Sequence, residues 1–148
     1  MLVILCDGSS KGNPGPASIG VVAWNRANNP RIVYPNYRYS TEIGVHTNME
    51  AEWSALLHAM SFAISCKDRK DVYIFCDSQT VVKQATKQWK IKHSNIQFLY
   101  EMFCELEKKL IPSNLYINWV PRQLVYLADK ANSYSYYLFE GLYRFCYQ

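Results

Sequence analysis

The chain opens on an unbroken apolar run, Met1-Leu2-Val3-Ile4-Leu5-Cys6, and the run ends at a carboxylate, Asp7. Such a run has no polar face and reads as a strand buried on both sides. Ala17 to Asn25 (Ala-Ser-Ile-Gly-Val-Val-Ala-Trp-Asn) reads as a second strand, and Asn28-Asn29-Pro30 as a turn. Residues 31–39 read as a third strand, with Pro35 marking an edge or a bulge. The period then changes. Thr47, with Glu50 three residues on, forms a capping-box pattern, and Trp53, Leu56, Leu57, Met60 and Ile64 follow at spacings of three and four. An amphipathic helix to about Ser65 is expected. Asp71 to Cys76 predicts a short apolar strand, and Ser78 can cap a helix running to about Lys87. A further helix is expected over about 94–109, a last strand over 114–120, and a final helix from about Tyr126.

Three strands in succession suggest an antiparallel meander, and the later strand–helix–strand units favour parallel pairing. The expected class is α/β: a mixed sheet with helices on its faces. No repeat, low-complexity segment or linker interrupts the 148 residues, so 1–148 is read as a single domain. Met1 and the compact length give the expectation of a free-standing protein. Hydrophobic residues at 49% suffice for one core, and 19% charged residues give no sign of disorder. The net charge of +4 permits a polyanionic partner without demanding one. Five cysteines, with no C-x-x-C pair, fit free thiols in a reducing compartment. The apolar opening is too short for a signal peptide or a membrane span. A cytoplasmic location away from membranes is therefore expected.

Four carboxylates stand at element ends. Asp7 closes the first strand and Asp77 the fourth; Glu52 lies in the first turn of the long helix and Asp129 near the start of the last. Acids at the carboxyl ends of apolar strands are placed as ligand sites are in α/β sheets. Their mutual repulsion would be relieved by divalent cations, and oxygen-only donors favour Mg²⁺ or Mn²⁺ over zinc. Two such ions about 4 Å apart are the known arrangement for phosphodiester cleavage. The same residues also fit a plainer reading, in which Asp77 caps a helix and Glu52 complements a helix dipole. Spacing alone leaves both readings open.

The wording and order of the motifs go further. Asp7-Gly8-Ser9-Ser10-Lys11-Gly12-Asn13-Pro14-Gly15-Pro16-Ala17 resembles the opening of type 1 ribonuclease H. Thr47-Asn48-Met49-Glu50-Ala51-Glu52-Trp53, Asp77-Ser78-Gln79, and Trp119-Val120-Pro121-Arg122 with Ala128-Asp129 resemble that family's later motifs, in the bacterial and archaeal branch. The resemblance implies a ribonuclease H fold: a five-stranded sheet of order 3-2-1-4-5 with helices on both faces. It implies two-metal-ion endonucleolytic hydrolysis of the RNA strand of RNA–DNA hybrids. The family's metal-binding acids fall on Asp7, Glu52, Asp77 and Asp129, with Glu50 the rival to Glu52, and the implied cofactor is two Mg²⁺ ions, with Mn²⁺ able to substitute. Many members carry a loop histidine before the last acid. Residues 122–127 hold none, which leaves Arg122 as a candidate for proton transfer or product release. Met49 replaces the second asparagine of the family's T-N-N, and Tyr126 stands where this branch usually has asparagine.

The glycine-rich loop, through Gly8, Gly12 and Gly15, lets backbone approach a nucleic-acid strand closely. By resemblance Gly8, Ser9, Asn13, Asn48 and Gln79 contact the hybrid; the amides suit 2′-hydroxyls and minor-groove edges. Asn13 can instead merely close its turn. Lys90 and Lys92, beside Trp89, suit the phosphates and sugars of the DNA strand, although a solvated helix end with Trp89 packed on the core fits as well. The expected partner is the hybrid, bound by a monomer with no obligate protein partner. Two other readings compete: a module that grips hybrids without cutting, and a nuclease for another duplex such as double-stranded RNA, or a reverse-transcriptase fragment.

Overall fold

The computed structural model describes residues 1–25, 35–67 and 69–125. Eight elements follow in chain order: β1 (Leu2–Ser10), β2 (Gly15–Asn25), β3 (Tyr37–His46), α1 (Asn48–Ser65), β4 (Asp71–Cys76), α2 (Gln79–Ala85), α3 (Ser94–Leu110) and β5 (Asn114–Trp119). The five strands form one sheet of order β3-β2-β1-β4-β5. The β1–β2 and β2–β3 pairs are antiparallel, while β1–β4 and β4–β5 are parallel. The apolar opening run thus becomes the central strand, which is why it needs no polar face.

Alternate residues of β1 serve two cores. Leu2, Ile4 and Cys6 join Trp53, Leu56 and Met60 of α1 and Phe103 of α3 on one side. Val3 and Leu5 join Val22, Trp24, Phe75, Val120 and Val125 on the other. Within α1, Ala51, Ala55, Ala59 and Ala63 recur every fourth residue and are fully buried. This small-residue stripe lets the helix lie close to the sheet. Trp53 locks the helical layer: its indole donates to Gln84 Oε1 of α2 at 3.0 Å, and its ring meets Tyr100 and Phe103 of α3 edge-on.

The third strand differs from the expectation of 31–39, of which 31–34 lie outside the described residues. It runs instead from Tyr37 to His46, with Pro35 before it. The reason is partial alternation: Tyr37, Thr41 and Ile43 are half-buried while Arg38, Ser40 and Glu42 are exposed, and Tyr39, though exposed, stacks on α1. Tyr37 stacks on Phe62 and Tyr39 on His58, which fixes this edge strand against α1. The register irregularity lies between Ala17 and Ser18, not at Pro35. A helical turn over 122–125 begins before the expected Tyr126, and the rest of that helix lies outside the described residues. Among the described residues no helix is long and apolar enough to cross a membrane.

One contact carries β1 onto α1. Gly8 is buried, and a Cβ built there would sit 2.1 Å from the Ala51 carbonyl oxygen and 2.6 Å from the Glu52 nitrogen. Gly8→Ala must push strand and helix apart, with an expected cost of about 1–3 kcal/mol. Urea denaturation of the two proteins checks this; an unchanged midpoint would contradict the contact.

Candidate active site

Asp7 does not close its strand, as expected, because pairing with β2 carries β1 on to Ser10; Asp7 and Asp77 instead stand just beyond the end of the parallel β1–β4 ladder, where Leu5 is paired with Phe75. Both approach the same buried thiol. The Cys6 pKa is pushed well above its ordinary 9.0, first by a hydrogen bond with Cys76, then by burial and the charge of Cys76, and then by the charges of Asp7 and Asp77. Asp77 lies just past β4, and its backbone carbonyl accepts from the Trp119 indole at 3.0 Å. That cross-strand bond was not legible in the sequence, because only the β4–β5 register, Cys76 opposite Trp119, creates it.

The N-terminus of α1 supplies the next acid. Thr47 accepts from the Glu50 amide at 3.1 Å, and the Glu50 carboxylate accepts from the Thr47 amide at 3.0 Å. His46 Nδ1 lies 3.4 Å from the other Glu50 oxygen. The cap hydrogen bond holds Glu50 below its ordinary 4.5. Glu50 is thereby committed to the cap. Glu52, half-buried one step further on, behaves in the opposite way: burial raises its pKa above 4.5, the Ser78 hydroxyl lowers it, Asp77 raises it, and Arg122 lowers it. The net displacement is upward. Glu52, Asp77, Ser78 and Arg122 therefore share one neighbourhood, and Gly8, the residue after Asp7, abuts the Glu52 backbone nitrogen.

The glycine- and proline-rich loop is tied to the same helix end. The Ser10 amide donates to Asn48 Oδ1 at 2.9 Å, and the Asn48 amide donates to Asn13 Oδ1 at 3.0 Å. Asn13 thus satisfies a free N–H of α1, a role its sequence position did not reveal. Both side chains are exposed, and each spends its oxygen internally, which leaves its NH₂ as a donor. Ser9, Gln79, Lys90, Lys92 and Arg122 are exposed, and Trp89 is 49% exposed rather than packed on the core. Gly8 turns its bare side towards α1, so its missing side chain makes room for the helix and not for a ligand. Asp129 and Tyr126 lie outside the described residues.

Among the described residues no three His, Cys, Asp or Glu side chains are drawn together tightly enough to enclose a metal ion. Asp7, Glu52 and Asp77 nonetheless offer only oxygen donors, and Glu52 is held in a setting that disfavours its charge. A hard divalent cation fits that donor chemistry and would reverse the penalty.

Residues 5–134 match the family described as Reverse transcriptase-like. The bifunctional protein Rv2228c of Mycobacterium tuberculosis is 33% identical over 129 residues, covering 87% of this chain and 34% of that protein. The chain spans about a third of the length of the first curated relatives it matches, at 34%. The solved N-terminal RNase H domain of Rv2228c has a TM-score of 0.75 at 31% identity, covering 87% of this chain and 93% of that one. RNase H1 from Halobacterium salinarum NRC-1 has a TM-score of 0.76 at 28% identity, covering 90% and 96%. LC11-RNase H1, isolated from compost by a metagenomic approach and solved in complex with an RNA/DNA hybrid, has a TM-score of 0.74 at 28% identity, covering 88% and 92%.

The raised Glu52 pKa has a stability consequence. The folded protein holds this proton more tightly than the unfolded chain, so its contribution is present below pH 4.5 and is lost as the pH rises through the folded value. At pH 7, in chelator, Glu52→Gln removes that penalty and should raise the melting temperature. The gain should shrink as the pH falls through the folded value and be gone below 4.5. A melting curve series from pH 4 to pH 7 (about the span over which a carboxylate titrates) checks it; a lower melting temperature for the variant at pH 7 would contradict the assignment.

Proposed function

The chain belongs to the reverse transcriptase-like family and has the ribonuclease H fold, and from that premise we propose that it is a metal-dependent endoribonuclease that hydrolyses the RNA strand of RNA–DNA hybrids. The observation that carries the reading is that Asp77 links the other two acids: it lies near Glu52 of α1, and it approaches the same buried Cys6 as Asp7. The hybrid bound to LC11-RNase H1, a protein of the same fold, supports the choice of substrate.

Asp7, Glu52, Asp77 and Asp129 would hold two divalent ions, Mg²⁺ or Mn²⁺. When bound, these supply activation of the attacking water and stabilisation of the leaving oxygen and of the charge on phosphorus. The chain's own residues do the rest. Asn13, whose oxygen accepts from the Asn48 amide, and Asn48, whose oxygen accepts from the Ser10 amide, present NH₂ donors to 2′-hydroxyls and minor-groove edges, with Ser9 and Gln79 alongside. Preorganised donors of this kind lose little entropy on binding. Lys90 and Lys92 meet the DNA phosphates, and the exposed Trp89 ring lies against a sugar or base. The Arg122 charge offsets part of the upward push that burial and Asp77 give the Glu52 carboxyl. An arginine does not give up its proton near neutrality. Its role in this reading is therefore product release rather than proton transfer. One copy of the chain supplies every residue invoked, so the reading is of a monomer acting on the hybrid, in the cytoplasm and without a protein partner.

Cleavage of a labelled hybrid is the direct test, with double-stranded RNA as control, in Mg²⁺, in Mn²⁺ and in chelator. Only the RNA strand of the hybrid should be cut, and chelator should stop cutting. Asp7→Asn should reduce kcat by about 10²–10³-fold or more, as removal of a preorganised electrostatic group does, while the melting temperature stays near or above that of the wild type. Hybrid binding without metal-dependent cutting would favour the binding module instead.

A further inference from the structure

Gly20 sits in the middle of β2, where glycine weakens a strand and needs a reason. The other described glycines have one. Gly12 and Gly44 have φ of 105° and 88°, and Gly8 and Gly15 lie against backbone at 2.1 Å from where a Cβ would stand. Gly20 has neither. Its φ is not positive, and among the described residues a Cβ built there would meet only the Tyr39 carbonyl oxygen, at 4.0 Å. The described residues leave room for a side chain, yet none is present.

The register shows what lies beside the gap. Gly20 is paired directly with Asp7, between the pairs Leu5–Val22 and Ser9–Ser18. Directly opposed residues of antiparallel strands point to the same face, with Cβ atoms about 4.5–5.5 Å apart. The missing side chain of Gly20 therefore belongs on the face to which Asp7 points, away from α1. On its other side Gly20 is paired with the exposed Ser40 of the edge strand. Among the described residues, the row Asp7–Gly20–Ser40 that crosses the sheet to that edge carries no bulky side chain.

We propose that Gly20 is a specificity-determining position: its bare Cα leaves room beside Asp7 for a ribose–phosphate unit of the RNA strand. The inference rests on the proposed hybrid substrate and adds to it a steric limit set by β2. Gly20 does not touch the reacting atoms; it keeps the space in which they lie.

The test is a size series, Gly20→Ala and Gly20→Val, read three ways: melting temperature, kcat/KM on a labelled hybrid, and hybrid Kd by fluorescence anisotropy in chelator. Because a side chain fits and β-branched residues favour strands, both variants should melt at or above the wild-type temperature. Hybrid kcat/KM should fall with side-chain size, at least ten-fold for valine, and Kd in chelator should weaken in the same order. Wild-type kcat/KM and Kd in Gly20→Val would overturn the inference. So would a marked drop in melting temperature, since the gap would then be filled by packing. Wild-type protein that binds the hybrid without cutting, with weaker binding by Gly20→Val, would leave this position's role standing and remove the hydrolytic reading. Wild-type protein that neither binds nor cuts hybrids would overturn both.

Discussion

Everything at the site depends on how closely β1 can lie against α1. The contact is backbone to backbone: Gly8 against the Ala51 carbonyl, with the Glu52 nitrogen next in line. Asp7 is one residue from one side of this contact, and Glu52 is one residue from the other. Their separation is thus set by peptide geometry rather than by flexible side chains. The alanine stripe of α1 extends the same close approach along the helix. The Trp53–Gln84 bond and the edge-on packing of Trp53 against α3 keep the helical layer from sliding. Placing acids on rigid elements in this way is what lets a site hold geometry to a fraction of an ångström.

The electrostatics run against stability. Glu52 is half-buried near Asp77, and its carboxylate form is disfavoured by both. Ser78 and Arg122 offset part of that, and the Trp119 indole steadies the Asp77 backbone. The acid that does not strain the fold is Glu50, whose charge is used up in the capping box. Two glutamates two residues apart thus have opposite characters. One is spent on folding, and the other is held in a state that a cation would stabilise. Such tension between neighbouring titratable groups is common at functional sites.

Much of this was legible in the sequence, and the exceptions have physical causes. β1 and β4 were clear because unbroken apolar runs suit strands buried on both faces. The start of α1 was clear because the capping box is a local pattern, and the structure makes both of its hydrogen bonds. β3 was placed too early because its far half, Ser40 to His46, carries polar residues and a glycine, with no apolar run to mark it as a strand. Tyr37 and Tyr39 take their places from α1, which supplies Phe62 and His58 for them to stack on. Trp89 kept its exposure, and Gly8 proved to serve the helix. The bond from Trp119 to Asp77, the clasp between Asn13 and Asn48, and the pairing of Gly20 with Asp7 were beyond reach. Each joins residues far apart in the chain through strand register or loop docking, which no local pattern encodes.

The central position of β1 also governs how the chain can be made. β1 is buried on both faces, and its parallel partner β4 lies 70 residues downstream, from Leu2 to Val72. During synthesis β2 can cover one edge of β1 soon after it emerges. The other edge, and the face that α1 and α3 will cover, stay bare until most of the domain has left the ribosome. Non-local pairing of this kind folds slowly, and an uncovered apolar strand is an aggregation hazard in the interval. The strand that anchors the finished domain is therefore the nascent chain's most vulnerable stretch, and the segment on which a chaperone would have most to do.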